Sequence, residues 1–153
     1  MSVYQRYKKD SDGFRKIVQL MEVAPTVQRE KMLRLGQKED PEYTKKILQH
    51  MMVYEDFFKL PDMELAEVIS ACYPQALAAL MSLMSKEDQE RILKNAVPNS
   101  LRLLREQLEY CELQEKKFSS TEIEMLQLKL IGFMRALERA GKIRVKIISA
   151  SIK

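Results

Sequence analysis

The side chains able to do chemistry are sparse. His50 is the single histidine in 153 residues, and Cys72 and Cys111 are the two cysteines. An imidazole at position 50 stands where a helix ends, so its natural partners are the free carbonyls of the last turn. Glu106, Glu109 and Glu112 recur every third residue near Arg102 and Arg105. That spacing builds a solvated ion-pair face on a helix rather than a general acid–base pair. The sequence holds no Gly-rich phosphate loop, Cys-x-x-Cys pair, His-Glu-x-x-His or nucleophile elbow, and no metal-ligand set stands out. The residues point away from an enzyme and require no cofactor.

Binding is the better-supported chemistry. The formal charge is +4 with a pI near 9.0, and most positive charge is spread over mixed-sign stretches. The exceptions are Arg6-Tyr7-Lys8-Lys9, Lys116-Lys117 and a tail with Lys142, Arg144, Lys146 and Lys153. Without tryptophan or aromatics interleaved with these cations, there is no base-stacking platform. A basic helical nucleic-acid-binding domain is the lesser alternative to a protein-binding module. Ten methionines supply adaptable apolar contacts, most of them expected in the core. No apolar run approaches the ~20 residues needed to span a bilayer, and the first residues lack a signal-peptide core. The expectation is a cytoplasmic chain with reduced cysteines.

The elements that must position such a surface are helices. Four glycines and five prolines suit short turns between them. Ser11 or Asp12 is placed to cap a helix with Phe14, Ile17, Val18 and Met21 on one face. Pro25 opens a second helix lined by Val27, Met32, Leu33 and Leu35, with Gly36 as its stop. Asp40-Pro41 starts a third, facing Tyr43, Ile47, Leu48 and Met51 inward. Leu60-Pro61-Asp62 and Tyr73-Pro74 start two more, the latter lined by Leu77, Leu80, Met81 and Met84. Ser85 to Asp88 resembles a capping box with Asp in place of Glu. Pro98 begins a helix with Leu101, Leu104, Leu108 and Cys111 inward. Ser119 to Glu122 caps the last, which carries Ile123, Leu126, Leu130, Phe133 and Leu137 and stops at Gly141. Ile143 to Ile148 alternates, but it is short and unpartnered, so an extended or frayed tail is expected. Periodicity alone gives an all-α chain and leaves open a helical-repeat stack or an irregular bundle.

Met51-Met52-Val53-Tyr54-Glu55-Asp56, between two helices, resembles the Met-Phe-x-Phe hinge of the FliG family of flagellar motor switch proteins. Glu39-Asp40-Pro41-Glu42 before it is similar to that family too, as are Ile92 to Asn95, Leu103 to Glu109, and Arg135, Leu137, Glu138, Gly141, Lys142 and Ile143. The similarity runs from about Gly13 to Val145. It implies an armadillo-like right-handed superhelix of two subdomains joined by a hinge at Met51, Met52, Val53 and Tyr54. The implied divisions are a polar lead over 1–12, an armadillo-like unit over 13–52, a helical subdomain over 53–145 and a basic tail over 146–153.

The resemblance also implies a function: a non-catalytic interaction module of the motor switch, at the basal body on the inner face of the membrane. Its partners would be switch proteins of FliG or FliM type, or a second copy through armadillo units. Tyr73-Pro74-Gln75 is similar to the Glu-His-Pro-Gln patch by which the family docks FliM, and Arg105-Glu106 falls in the torque-helix region. These five residues are the implied docking positions. Where the family carries further charges toward the stator, this chain has Ser82, Asn99, Gln107 and Phe118 or Ser119, so the usual stator contact is not expected. No counterpart of the family's ring-anchoring domain precedes Gly13 within this sequence, which implies attachment through another protein. A FliG-derived adaptor or regulator outside torque generation is the alternative.

Overall fold

The computed structural model describes residues 2–149. In chain order its helices are α1 (Gln5–Lys9), α2 (Gly13–Val23), α3 (Thr26–Glu39), α4 (Pro41–His50), a 3-10 turn (Tyr54–Lys59), α5 (Asp62–Ala71), α6 (Pro74–Met81), α7 (Lys86–Lys94), α8 (Pro98–Leu113) and α9 (Ser120–Arg139). No strand occurs among the described residues. α9 is the organising element: it packs on α2, the 3-10 turn, α5 and α6, while α8 lies against α6 and α7. The architecture is all-α and armadillo-like.

Helix starts and stops follow local chemistry. Asp40 accepts from the Tyr43 N–H and Pro41 occupies the first turn of α4. Ser119 accepts from the Glu122 N–H while Glu122 accepts from the Ser119 N–H, a complete capping box. Ser85 caps Asp88 at 3.2 Å, but the shorter Asp88 side chain makes no return bond to the Ser85 N–H. At the far end of α9, Gly141 adopts φ +77°, the left-handed conformation that costs glycine least. Its N–H donates to Glu138 O and that of Lys142 to Leu137 O, a Schellman stop. Asp12 stands at the start of α2 but makes no side-chain cap, and Gly13 donates instead to Asp10 O.

Two clusters of buried side chains make the core. One gathers Tyr4, Phe14, Ile17, Val18, Met21, Tyr43, Ile47, Met51 and Ile148. The other runs from Met52 through Phe57, Leu65, Leu80, Leu104 and Met134 to Ile143. The division falls between Met51 and Met52: successive side chains of an extended backbone point to opposite sides, so each fills a different cluster.

The first cluster departs from expectation in three ways. The lead over 1–12 is not merely polar: it contains α1 and buries Tyr4 completely. Gly36 does not stop α3, which continues to Glu39. Instead Gly36 lies under the Tyr4 ring, where any Cβ would collide with the phenol. The Tyr4 hydroxyl is then held by Thr44 Oγ1 at 2.6 Å, and the ring tilts against Tyr43 with centroids 4.8 Å apart. Around position 146 the tail is packed: Ile148 enters the first cluster and Val145 packs on the second. The rest of the expected tail, 150–153, lies outside the described residues, as does Met1.

Val27, Leu35 and Leu48, expected inward, are 81%, 49% and 51% exposed. α3 meets its neighbours through Met32, Leu33 and Gly36 and leaves an apolar outer side uncovered.

Candidate functional site

The segment expected as a hinge is built into a buried polar network. α4 ends at His50, whose Nδ1 hydrogen-bonds the Lys46 carbonyl at 2.7 Å while the ring meets Phe14 edge-on. This single histidine is a structural end-piece for its helix. Met51, in extended conformation, and Met52 follow, both buried. Tyr54 opens the 3-10 turn, half-buried and edge-on to Phe58 at 5.2 Å; burial, with Asp88 and Glu55 nearby, pushes its phenol up to about 12.

The backbone of this segment is held from both sides. Glu22 of α2 accepts from the Met52 N–H at 2.6 Å. Asp56 accepts from the Val53 N–H at 2.9 Å. Arg135 of α9 donates to the His50 carbonyl at 2.8 Å, and Lys146 donates to the Met51 carbonyl at 2.9 Å. Lys146 also lies 3.3 Å from Asp56. Four consecutive residues, His50 to Val53, thus have backbone groups tied to charged side chains.

Those charges are paired among themselves. Arg135 donates from Nε and Nη2 to the two oxygens of Glu22, and from Nη1 to Glu138 at 2.6 Å and to Lys146 O. Arg15 forks onto Glu138 at 2.8 and 3.1 Å and reaches the Ile148 carbonyl. Glu22, Arg135 and Glu138 are 1%, 3% and 6% exposed. Burial alone would raise the Glu138 carboxyl, but hydrogen bonds and charge from Arg15 and Arg135 outweigh it and hold it below its ordinary value. Burial works against the Arg135 cation as well, and Glu22 with Glu138 keeps it charged above the ordinary arginine value. Unpaired, such groups would cost several kcal/mol each; bidentate pairing with every donor used is what makes them tolerable.

The expected docking residues lie on two separate faces. Tyr73 is 69% exposed, with its ring edge-on to Phe133 of α9; Pro74 fills the first turn of α6 and Gln75 is exposed. Arg105 and Glu106 are exposed on α8 beside a hollow of about 370 Å³ that Pro98, Leu101 and Glu109 also line. Glu106 pairs with Arg102 at 3.3 Å. Among the described residues no group of acidic, histidine and cysteine side chains is placed to hold a metal ion, and no helix is long and apolar enough to cross a membrane.

Sequence reasoning missed Glu22, and met Arg15, Arg135 and Glu138 only within stretches that carry the resemblance. A signal was present: Glu22 follows Val18 by four residues on the apolar face of α2, and Arg135 follows Ile131 by four on α9. A charge on an inward stripe calls for an opposite charge on a facing one.

Comparison with known proteins agrees with this architecture. The FliG C-terminal domain is the family whose model matches residues 36–145. The flagellar motor switch protein FliG of Thermotoga maritima is 34% identical over 106 residues, which are 69% of this chain and 30% of that protein. FliG of Borreliella burgdorferi is 27% identical over 131 residues, 86% of this chain and 37% of that protein. The chain therefore spans about a third of the length of these relatives. Two crystal structures of FliG from H. pylori share the fold, with TM-scores of 0.61 and 0.56 at 17% identity; each alignment covers 86% of this chain and 60% or 56% of the other. With a sequence match over most of its length, this chain belongs to the FliG C-terminal domain family.

Proposed function

We propose that this chain is a non-catalytic interaction module of the flagellar motor switch, cytoplasmic and peripheral to the basal body. The observation that carries this reading is the uncovered apolar side of α3 and α4, where Val27, Leu35 and Leu48 stand exposed on a scaffold of the FliG family. An armadillo-like unit buries such a side by stacking another unit on it, so a FliG-type neighbour is the expected partner. Tyr73, Pro74 and Gln75 form a second, smaller patch suited to a FliM-type partner, and Arg105 with Glu106 a polar one. In this reading residues 13–52 and 53–145 are two units whose relative angle is set at Met51–Tyr54.

The test is a pull-down from native cells with the chain as bait, followed by Val27→Asp and Leu35→Asp. Recovery of FliG- or FliM-type proteins that is lost in the variants supports the proposal. Recovery of no flagellar component would count decisively against it.

A second reading, an adaptor outside torque generation, is favoured by one specific observation. Ser82, where the family carries a cation, turns its hydroxyl onto the Ala79 carbonyl at 2.6 Å and presents no charge. Deleting the gene separates the two: normal swimming favours the adaptor.

A further inference from the structure

Beyond Gly141 the chain turns back across the boundary between the two core clusters. Ile143 is buried in the second cluster and Val145 packs on it. Three residues further, Ile148 is 5% exposed and belongs to the first cluster. Lys146 stands between them at φ +48°. That left-handed conformation costs free energy in a residue with a Cβ, and it persists where surrounding contacts impose it.

Residues 143–148 are neither helix nor strand, and among the described residues no backbone-to-backbone hydrogen bond holds them. Charged side chains fasten them instead. The Arg144 N–H donates to Glu64 of α5 at 2.7 Å. Arg135 of α9 donates to the Lys146 carbonyl at 2.9 Å, and Arg15 of α2 to the Ile148 carbonyl at 2.7 Å. The Lys146 ammonium reaches across to the Met51 carbonyl and to Asp56.

Most of these fastenings leave a satisfied group behind when they part. Without the segment, Arg135 keeps Glu22, Glu138 and the His50 carbonyl, and Arg15 keeps both oxygens of Glu138. Asp56 loses a cation but keeps the Val53 N–H, on the side that the segment vacates to water. The buried ion pairs stay whole, so withdrawal avoids the large penalty of breaking one. It gives up one buried isoleucine and relieves the left-handed turn. A segment with so few buried apolar contacts opens at a lower free energy than global unfolding requires.

We propose that residues 146–148 are a releasable clasp, hinged on Ile143 and Val145 and closed by Ile148. Closed, the clasp ties Met51 and Asp56 to the segment after α9 and makes the two clusters one body. Open, it leaves the Glu22–Arg135 pair and α5 to α9 in place. The Met51 carbonyl and the Ile148 position in the first cluster are then uncovered. The device works within a single chain, whichever partner that chain binds.

Short pulses of an amine-acetylating reagent on the purified chain test this. While the clasp is closed the Lys146 ammonium is bonded, so it reacts chiefly when the clasp is open; exposed Lys142 is the internal control. In the wild type, Lys146 is expected to become reactive at urea concentrations below those at which circular dichroism shows unfolding. Ile148→Ala is expected to raise Lys146 labelling without urea at least about tenfold, in line with truncating a buried isoleucine. Ile92→Val, buried in the second cluster far along the chain, is expected to lower the urea midpoint and leave Lys146 labelling unchanged. Methyl relaxation dispersion reads the joint: in Ile148→Ala, Met51 is expected to show exchange while Met81 and Met134 stay quiet. Lys146 labelling that rises only with global unfolding overturns the proposal, as does Ile92→Val raising it. So does Ile148→Ala that folds without added labelling, or exchange that is equal at Met51 and Met134. If Ile148→Ala does not fold, the wild-type urea series and Ile92→Val still decide.

Discussion

Arg135 and Glu22 meet at 2.7 Å across the joint of the molecule, although 113 positions separate them in the chain. Their pairing ties α9 to α2 and, through the Met52 N–H and the His50 carbonyl, to the segment between the two clusters. Glu22→Gln leaves the Arg135 cation buried with half its partners. We expect a loss of about 3–5 kcal/mol in urea unfolding. Replacing both at once, with Glu22→Met and Arg135→Met, removes the two buried charges together but leaves the Met52 N–H without its acceptor, and is expected to cost less than the sum of the two single changes. A double-mutant cycle reads the coupling directly.

The same network predicts how rigid the segment is. The Met52 and Val53 amides donate to Glu22 and Asp56, both buried. Hydrogen exchange at these two amides should approach the slowest rates in the protein, because opening them breaks the joint. Lys146→Ala, which removes a cation beside Asp56, is expected to speed exchange at Val53 more than at the α4 amides. Fast exchange at both positions in the wild type would refute a fixed joint.

Gly36 is a test of steric fit. Gly36→Ala is favourable for an isolated helix, by about 1 kcal/mol, yet here the added methyl collides with the Tyr4 phenol. Displacing an aromatic ring from a filled cluster costs about 3–5 kcal/mol. The expected outcome is a lower melting temperature and rapid trypsin cleavage at Lys8 and Lys9. Tyr4→Ala alone should give the same cleavage pattern, and Gly36→Ala should then cost nothing further.

Acid should loosen the joint through Glu138. Its carboxyl titrates below the ordinary value of 4.5, held down by Arg15 and Arg135 against the effect of burial. A depressed carboxyl contributes stability that is complete above the ordinary value and disappears as pH falls through the lower folded one. The urea midpoint is therefore expected to be flat near neutrality and to drop below about pH 4.5. Glu138→Gln should flatten that drop. Asp10 and Asp40 shift the same way through hydrogen bonds from Lys16 and Lys8, but these pairs are at the surface, and added salt should remove their part first.

Cys72 should be chemically silent. Burial pushes its thiol up to about 12 from an ordinary 9.0. Three pH units suppress the thiolate about a thousandfold at neutral pH. In a Cys111→Ser background, alkylation at pH 8 is expected to be negligible in the folded chain and to appear with unfolding in urea.

The sequence disclosed what local chemistry decides. Pro41, Pro74 and Pro98 open helices, Ser119 with Glu122 caps one, and Gly141 ends one, because each signal involves neighbours within a turn. Gly36 misled for the complementary reason: its small size serves the ring of Tyr4, just before α1, which no window around it contains. Val27 and Leu35 fit an inward stripe by period, yet α3 has too few neighbours to cover them. Resemblance drew attention to the segment from Met51 to Tyr54. Its wiring was not legible, since Glu22, Arg135 and Lys146 come together only when α2, α9 and the segment after Gly141 converge.

That convergence bears on the order of events during synthesis. A stack of helical repeats ordinarily gains structure unit by unit as it leaves the ribosome. Here α2 emerges with Glu22 and Arg15 facing inward and no counter-charge yet made, and its cluster lacks Ile148. The first cluster must wait for nearly the whole described chain before it can close, so it should fold late and together with the rest.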